Sequence, residues 1–201
     1  AWVNFCEHRD IPMVIGVTGH SENQMTRIRE AAHQIPIVFA ANFSVGLNAI
    51  LAVLSPLVRQ LGEEYDVEIV ETHHRKKVDA PSGTALEIVE ELRRARERKD
   101  DLELSVVFGR HGKVAARKSG EIGVHAVRMG DVVGQHEIHL SGPGETITIR
   151  HAVHCREAFA AGALRAAQWI VQQGAGFYTM RDVLAVAPPP CLGPRIPELD
   201  I

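Results

Sequence analysis

Cysteine is scarce in this chain. The three present among 201 residues, Cys6, Cys155 and Cys191, are odd in number, far apart and outside any C-x-x-C spacing. That pattern excludes a disulfide framework and a zinc knuckle, and makes a reducing, cytoplasmic compartment the expectation. Long apolar runs are also missing. The longest candidate, residues 47–61, is broken by Asn48, Ser55, Pro56 and Arg59, whereas a membrane span needs about 18 apolar residues in succession. No basic segment followed by an apolar stretch opens the chain, so a secretory leader is not expected. Charge of one sign is lacking as well: the formal net charge of −3 gives neither nucleic acid nor an anionic membrane a foothold. A glycine-rich G-x-G-x-x-G turn, the element that grips a dinucleotide pyrophosphate, does not occur.

What is there is the material of a globular protein. Hydrophobic residues make up 45% of the chain, enough for one domain of ordinary size or two small lobes. Residues 11–16 read as a short buried strand, 21–34 as a capped surface helix and 35–40 as a second buried strand, with Pro36 near its start where a lost N–H matters least. Strand, helix and strand in that order predict a parallel βαβ unit. Residues 44–62 read as a helix, hydrophobic nearly all round and so buried. Beyond residue 104 the period becomes strand-like, over 104–108, 123–128, 132–140 and 146–151, with Gly142-Pro143-Gly144 as a hairpin turn. A mixed or antiparallel sheet with one packed face is the expectation. The apolar content of residues 123–151 exceeds what one small lobe needs to cover, which predicts contact between subunits through this sheet. Helix returns over 157–173. The basic cluster Arg93, Arg94, Arg96, Arg98 and Lys99 reads as a solvated helix end, and the last fourteen residues, with five of the ten prolines, as an unpacked tail.

The densest chemistry lies in E-T-H-H-R-K-K-V-D-A-P-S-G-T-A, residues 71–85. A strand precedes it and a helix follows. Two histidines, three cations (Arg75, Lys76, Lys77) and a Ser-Gly-Thr turn sit at the joint. A helix N-terminus with a flexible glycine offers unpaired N–H groups to an anion, lysines add point charge, and a histidine exchanges protons near neutral pH. Each piece occurs alone as ordinary structure: His-His can be a polar strand end, and Thr84 with Glu87 fits a capping box. Two histidines and two lysines within five positions are not needed for a turn, so the combination reads as a site that binds and protonates a carboxylate or phosphate.

This string closely resembles the signature of the dihydrodipicolinate reductase family. Gly16-Val17-Thr18-Gly19, residues 39–48 (F-A-A-N-F-S-V-G-L-N), Gly120-Glu121-Ile122-Gly123, residues 128–136 (R-M-G-D-V-V-G-Q-H) and residues 180–184 (M-R-D-V-L) resemble family segments in family order. The resemblance implies an α/β chain holding the C-terminal part of a Rossmann-type cofactor domain and an α+β substrate and oligomerisation domain with a mixed sheet. It implies an incomplete Rossmann-type domain over residues 1–43, the substrate domain over 44–154, a helix returning to the cofactor domain over 155–187, and a Pro-rich tail over 188–201. It also implies that the first two βαβ turns of the cofactor domain are absent. The chain by itself is therefore expected to be inactive and to bind NAD(P)H weakly.

The same resemblance implies NADPH or NADH as cofactor, a small dicarboxylate substrate, a homotetramer, and reduction of 4-hydroxy-tetrahydrodipicolinate to tetrahydrodipicolinate and water in the diaminopimelate route to lysine. By position His73 takes the acid/base role and Lys77 the proton-donor and carboxylate-contact role. His74, Ser82, Gly83 and Thr84 match substrate-binding positions; Gly16, Val17, Thr18, Ala40, Ala41, Asn42 and Phe43 match cofactor contacts. Val17 stands where the family usually has Thr, which removes a hydroxyl but not the backbone contact. Cofactor preference is not readable. Two alternatives stay open: a non-catalytic ligand-binding or oligomerising lobe, and another two-domain dehydrogenase, although neither a nucleophilic Cys nor a Lys-Pro motif is present. The remaining histidines lack zinc-ligand spacing, so no metal is expected. His136 and His151 read as surface or interface residues of the sheet.

Overall fold

A computed structural model describes residues 1–96, 105–113 and 115–185. The expected proline-rich tail, Cys191, Leu104, Arg98 and Lys99 lie outside the described residues. Two sheets organise the chain, and their different chemistry follows from how each is covered.

The first sheet is all parallel, in the order β1 (Met13–Ile15), β2 (Pro36–Phe39), β8 (Gly176–Tyr178). α1 (Trp2–His8) precedes it, and α2 (Glu22–Ala31) makes the predicted βαβ crossover. Ser21 caps α2 reciprocally: its hydroxyl accepts the Gln24 N–H while the Gln24 side chain accepts the Ser21 N–H. Parallel strands need cover on both faces. Ile28, Ala31, Ala32, Ile35 and Ile37 make one core cluster. Val38, Ala40 and Phe43 make the other, with Ala166 and Ile170 of α5 (Glu157–Ile170) and Met180 and Val183 of α6 (Met180–Leu184). The small residues of α5 matter here. A Cβ on Gly162 would lie 1.8 Å from the Phe43 carbonyl oxygen, so only glycine permits this approach.

The second sheet is mixed, in the order β4 (Val106–Phe108), β5 (Ile122–Arg128), β3 (Asp66–His73), β6 (Gly134–Gly142), β7 (Glu145–Val153). β4, β5 and β3 run parallel; β6 and β7 are antiparallel and joined by the expected hairpin. α3 (Val45–Leu61) and α4 (Gly83–Arg96) lie on one face and bury Leu47, Leu51, Leu54, Val58, Ile88, Val89 and Leu92 against Val67, Ile69, Ile122, Val124, Ile138 and Leu140. Arg181 of α6 forms an ion pair with the buried Glu91 of α4, tying the two sheets' helices together.

Three expectations are corrected. α3 is not buried all round: Val53 is 57% exposed, and the buried positions form one stripe. The cap of α4 is Ser82, whose hydroxyl accepts the Ala85 N–H; Thr84 lies inside the first turn and bonds elsewhere. Most apolar residues of β5–β7 (Ile122, Val124, Ile138, Leu140, Ile147 and Ile149) are taken up by the core with α3 and α4. The opposite face is chiefly polar, with Glu68, Thr72, His125, Gln135, Glu137, His139, Thr148 and Arg150, and carries Val70 and the 37% exposed Val127 among them.

Candidate active site

The covered face of the second sheet changes character along its strands. On β3 it carries Val67 and Ile69, then Glu71 and His73. On β6 the register sets Leu140 and Ile138 opposite the two aliphatics, and His136 opposite Glu71; on β7, Ile147 and Ile149 are followed by His151 opposite His136. The aliphatic core thus gives way to a row of ionisable side chains at one level, the carboxyl end of β3.

Glu71 is fully buried and fully partnered. Arg128, from β5, donates to both its oxygens at 2.8 Å; His73 Nδ1 lies 2.6 Å from Oε2; the Ser82 N–H donates to Oε1 at 3.1 Å. Burial pushes the carboxyl pKa up, but the bonds from Arg128 and His73 outweigh burial and hold it below the ordinary value. An ionised carboxylate only accepts hydrogen bonds, so the His73 Nδ1 carries the proton and Nε2 is the nitrogen left for exchange. A Cβ on Gly134 would lie 3.1 Å from that Nε2; glycine on the neighbouring strand leaves this edge uncrowded.

His136 is only 6% exposed, which corrects its reading as a surface residue. Its ring meets the His73 ring edge-on at 5.2 Å, and its Nε2 lies 3.2 Å from Ser82 Oγ. Burial, then the neighbouring His73, lowers its pKa to about 4, so it is neutral at pH 7 and adds no charge beside His73. His151 is half-buried, shifted down by burial, with Nε2 3.1 Å from the N-cap hydroxyl of Ser44. The serines that cap α3 and α4 therefore each bond a histidine of the row, and both helix N-termini converge on it.

Lys77 is mostly covered and pairs with Asp79 at 2.8 Å; that bond holds Asp79 below its ordinary pKa. Arg128 also donates to the Asp79 carbonyl at 2.6 Å, fixing the loop that carries Lys77. Gly83 is exposed, with nothing within 4 Å of where a Cβ would stand, so the first turn of α4 opens onto free space.

The expected cofactor segments, Gly16-Val17-Thr18 and Ala40-Ala41-Asn42-Phe43, follow the carboxyl ends of β1 and β2, where ligands bind in open α/β sheets. The Ala40 N–H donates to the Ile15 carbonyl at 3.1 Å, so the two strand ends adjoin. Residues 16–18 and Ala41 are exposed. Gly16, Ala40 and Ala41 add no bulk beyond Cβ at these strand ends. Asn42 bridges the sheets: its Nδ2 donates to Thr84 Oγ1 at 3.0 Å, and its Oδ1 accepts the Ser44 N–H.

His74, adjacent to His73 in sequence, stands apart from this cluster. It lines a separate cavity of about 590 Å³ with Arg75, Lys76, Gly130, Asp131 and Arg156. Glu71, Arg128, His136 and His151 complete the row, and no local motif marks them as functional. Their signal was phase: Glu71 keeps step with Val67 and Ile69, His136 with Ile138 and Leu140, and a polar residue in an apolar phase marks a buried polar group.

The family profile "Dihydrodipicolinate reductase, N-terminus" matches residues 1–43, and "Dihydrodipicolinate reductase, C-terminus" matches residues 46–184. The chain is 47% identical over 180 residues to the 4-hydroxy-tetrahydrodipicolinate reductase of Oleidesulfovibrio alaskensis, covering 89% of this chain and 69% of that protein. It is 49% identical over 180 residues to the enzyme of that name from Pseudomonas fluorescens, covering 90% and 66%, and 44% identical over 181 residues to that from Psychrobacter arcticus, covering 90% and 64%. The chain spans about two thirds of the length of these relatives. Among solved structures, a dipicolinate-bound dihydrodipicolinate reductase from Paenisporosarcina sp. TG-14 shares the fold, with a TM-score of 0.69 at 24% identity over 91% of this chain and 68% of that one.

Proposed function

The chain belongs to the dihydrodipicolinate reductase family, and we propose that it acts as a 4-hydroxy-tetrahydrodipicolinate reductase in the diaminopimelate route to lysine. NADPH or NADH, when bound at the carboxyl ends of β1 and β2, supplies the hydride. The chain's own residues hold the substrate and manage its protons. One observation carries the reading: the Asn42–Thr84 hydrogen bond at 3.0 Å joins the cofactor-side strand end to the N-terminus of α4, whose Ser82 leads through Glu71 to His73.

A dicarboxylate suits this place. The open turn at Gly83 and Thr84 offers backbone N–H groups and the positive end of the α4 dipole to one carboxylate. Lys77 exchanges its partner Asp79 for the ligand and stands as proton donor. His73, with its proton held at Nδ1, exchanges protons at Nε2. Arg75, Lys76 and Arg156, around His74, add a cationic wall on the far side of the strand end, which favours an acidic ligand. That a structural relative is dipicolinate-bound accords with this chemistry. For assembly we infer a homotetramer formed through the open polar face of the mixed sheet, in the cytoplasm; light scattering at micromolar concentration that finds only monomer would count against it.

The test is steady-state oxidation of NADPH and NADH by the full-length protein with its substrate. His73→Gln and Lys77→Met should each lower kcat by at least about tenfold, the scale of a lost proton-transfer group. Near wild-type kcat in both variants would remove the assignment.

A further inference from the structure

The proton exchange proposed for His73 requires one ring nitrogen to be reserved for the ligand. Nothing in a free imidazole does this, since either nitrogen can carry the proton. The covered face of the second sheet contains a group suited to the task.

We propose that Glu71 is the positioning residue of the site: it fixes the tautomer of His73 and, through the same carboxylate, sets the N-terminus of α4 and the Lys77 loop against it. Its two oxygens are divided between three elements. Oε2 takes the His73 Nδ1–H at 2.6 Å, Oε1 takes the Ser82 N–H at 3.1 Å, and Arg128 reaches both at 2.8 Å while a further bond from it, at 2.6 Å, ends on the Asp79 carbonyl. The imidazole, the anion-binding turn and the loop carrying Lys77 thus share one rigid reference. Arg–carboxylate pairs with two parallel bonds fix direction as well as distance, so Arg128 holds the carboxylate plane and the carboxylate holds the ring. Complete burial of Glu71 removes water as a competitor for these bonds. The depressed pKa of the carboxyl accords with this, because the acceptor-only form persists through the neutral range.

This inference rests on the reductase reading for its functional meaning, but its structural content is separately measurable. Glu71→Gln conserves shape. The amide oxygen in the Oε1 place accepts from Arg128 Nη2 and the Ser82 N–H, and the amide NH2 in the Oε2 place gives up the Arg128 Nη1 bond and donates to His73 Nδ1. That reverses the tautomer and turns Nε2 from an acceptor into a donor. A wrong tautomer in otherwise intact geometry abolishes most of an imidazole's acid/base contribution.

The experiment has two arms. Nitrogen-15 spectra of the histidine rings, recorded on this chain, assign the tautomer of neutral His73. The expected result is Nδ1–H in the wild type and Nε2–H in Glu71→Gln. Steady-state kinetics on the full-length protein should show kcat lowered by about 10²-fold or more with KM changed by less than about threefold. A purely structural role would instead leave the tautomer unaltered. Wild-type His73 found as Nε2–H overturns the proposal whether or not the variant folds, and so does a Glu71→Gln protein that retains wild-type kcat. As a second variant, Arg128→Met keeps the Glu71–His73 bond but frees the Asp79 carbonyl. It should retain the Nδ1–H tautomer and raise KM severalfold; an Nε2–H tautomer there contradicts the division of labour. Failure of the reductase reading shows differently, as a wild-type full-length protein without turnover beside unaltered tautomer results.

Discussion

Lowering the pH from 7.5 to 5.0 should destabilise this protein through His136 in particular. The imidazole is 6% exposed and its pKa is depressed to about 4, first by burial and then by His73. In the unfolded chain the same group titrates near its ordinary value of about 6.5. The unfolded state therefore binds a proton that the folded state refuses, and stability falls as pH drops below that value, levelling off only below the folded pKa. Worked through the two pKa values, the loss at pH 5.0 relative to pH 7.5 is roughly 2 kcal/mol, rising to roughly 3 kcal/mol at pH 4. The groups facing His136 are His73, Glu71, His151 and Lys77. His151 is shifted the same way and adds to the loss, while Glu71 stays ionised over this window because its pKa is depressed.

Comparison with His136→Gln isolates the one residue, since glutamine keeps a polar end toward Ser82 but does not titrate. Urea unfolding of both proteins at pH 7.5 and 5.0 gives the four free energies needed. The wild type should lose roughly 2 kcal/mol more than the variant across the interval. Equal losses would falsify the buried, neutral state of His136 and with it the uncharged neighbour ascribed to His73.

Two further outcomes follow from close contacts. Gly162→Ala places a Cβ 1.8 Å from the Phe43 carbonyl oxygen, a backbone atom that cannot rotate away; overpacking of this kind costs about 1–3 kcal/mol, and a thermal melt with an unaltered Tm would refute the packing. Ser44→Ala removes both the acceptor for the Leu47 N–H and the partner of His151; loss of an N-cap costs about 1 kcal/mol, read by urea denaturation at pH 7.5, where an unchanged midpoint would show the cap to be idle.

Much of this architecture is legible in the sequence wherever the chemistry is local. The βαβ unit, the Gly142–Gly144 hairpin and the strand–turn–helix joint at residues 71–85 each depend on neighbours within a few positions, and the structure has all three. Elements whose character depends on distant partners are not legible in this way. Val53 looks like core until the stripe facing the sheet is known. Thr84 fits a capping box, but α4 begins at Gly83, so Ser82 caps it and the threonine hydroxyl is free to accept from Asn42, 42 residues away. His136 looks like a surface strand residue because what buries it, Glu71 across the ladder and Ser82 at a helix end, lies more than fifty positions upstream.

The placement of the site follows from register. Residues 67, 69, 71 and 73 of β3 share one face, as do 134, 136, 138 and 140 of β6. The aliphatic half of each set is what α3 and α4 cover, and the polar half is carried to the covered face because the period is two. A slip of one residue between β3 and its neighbours would move Val67 and Ile69 onto the open face together with Glu71 and His73. The hydrophobic cost of exposing the aliphatics, about 1.5–3 kcal/mol for each side chain, therefore guards the alignment of Glu71 and His73. The ionisable row contributes nothing comparable by itself, since burying Glu71 is costly without Arg128 and His73 to meet it. In this fold the core specifies the register, and the register assembles the site.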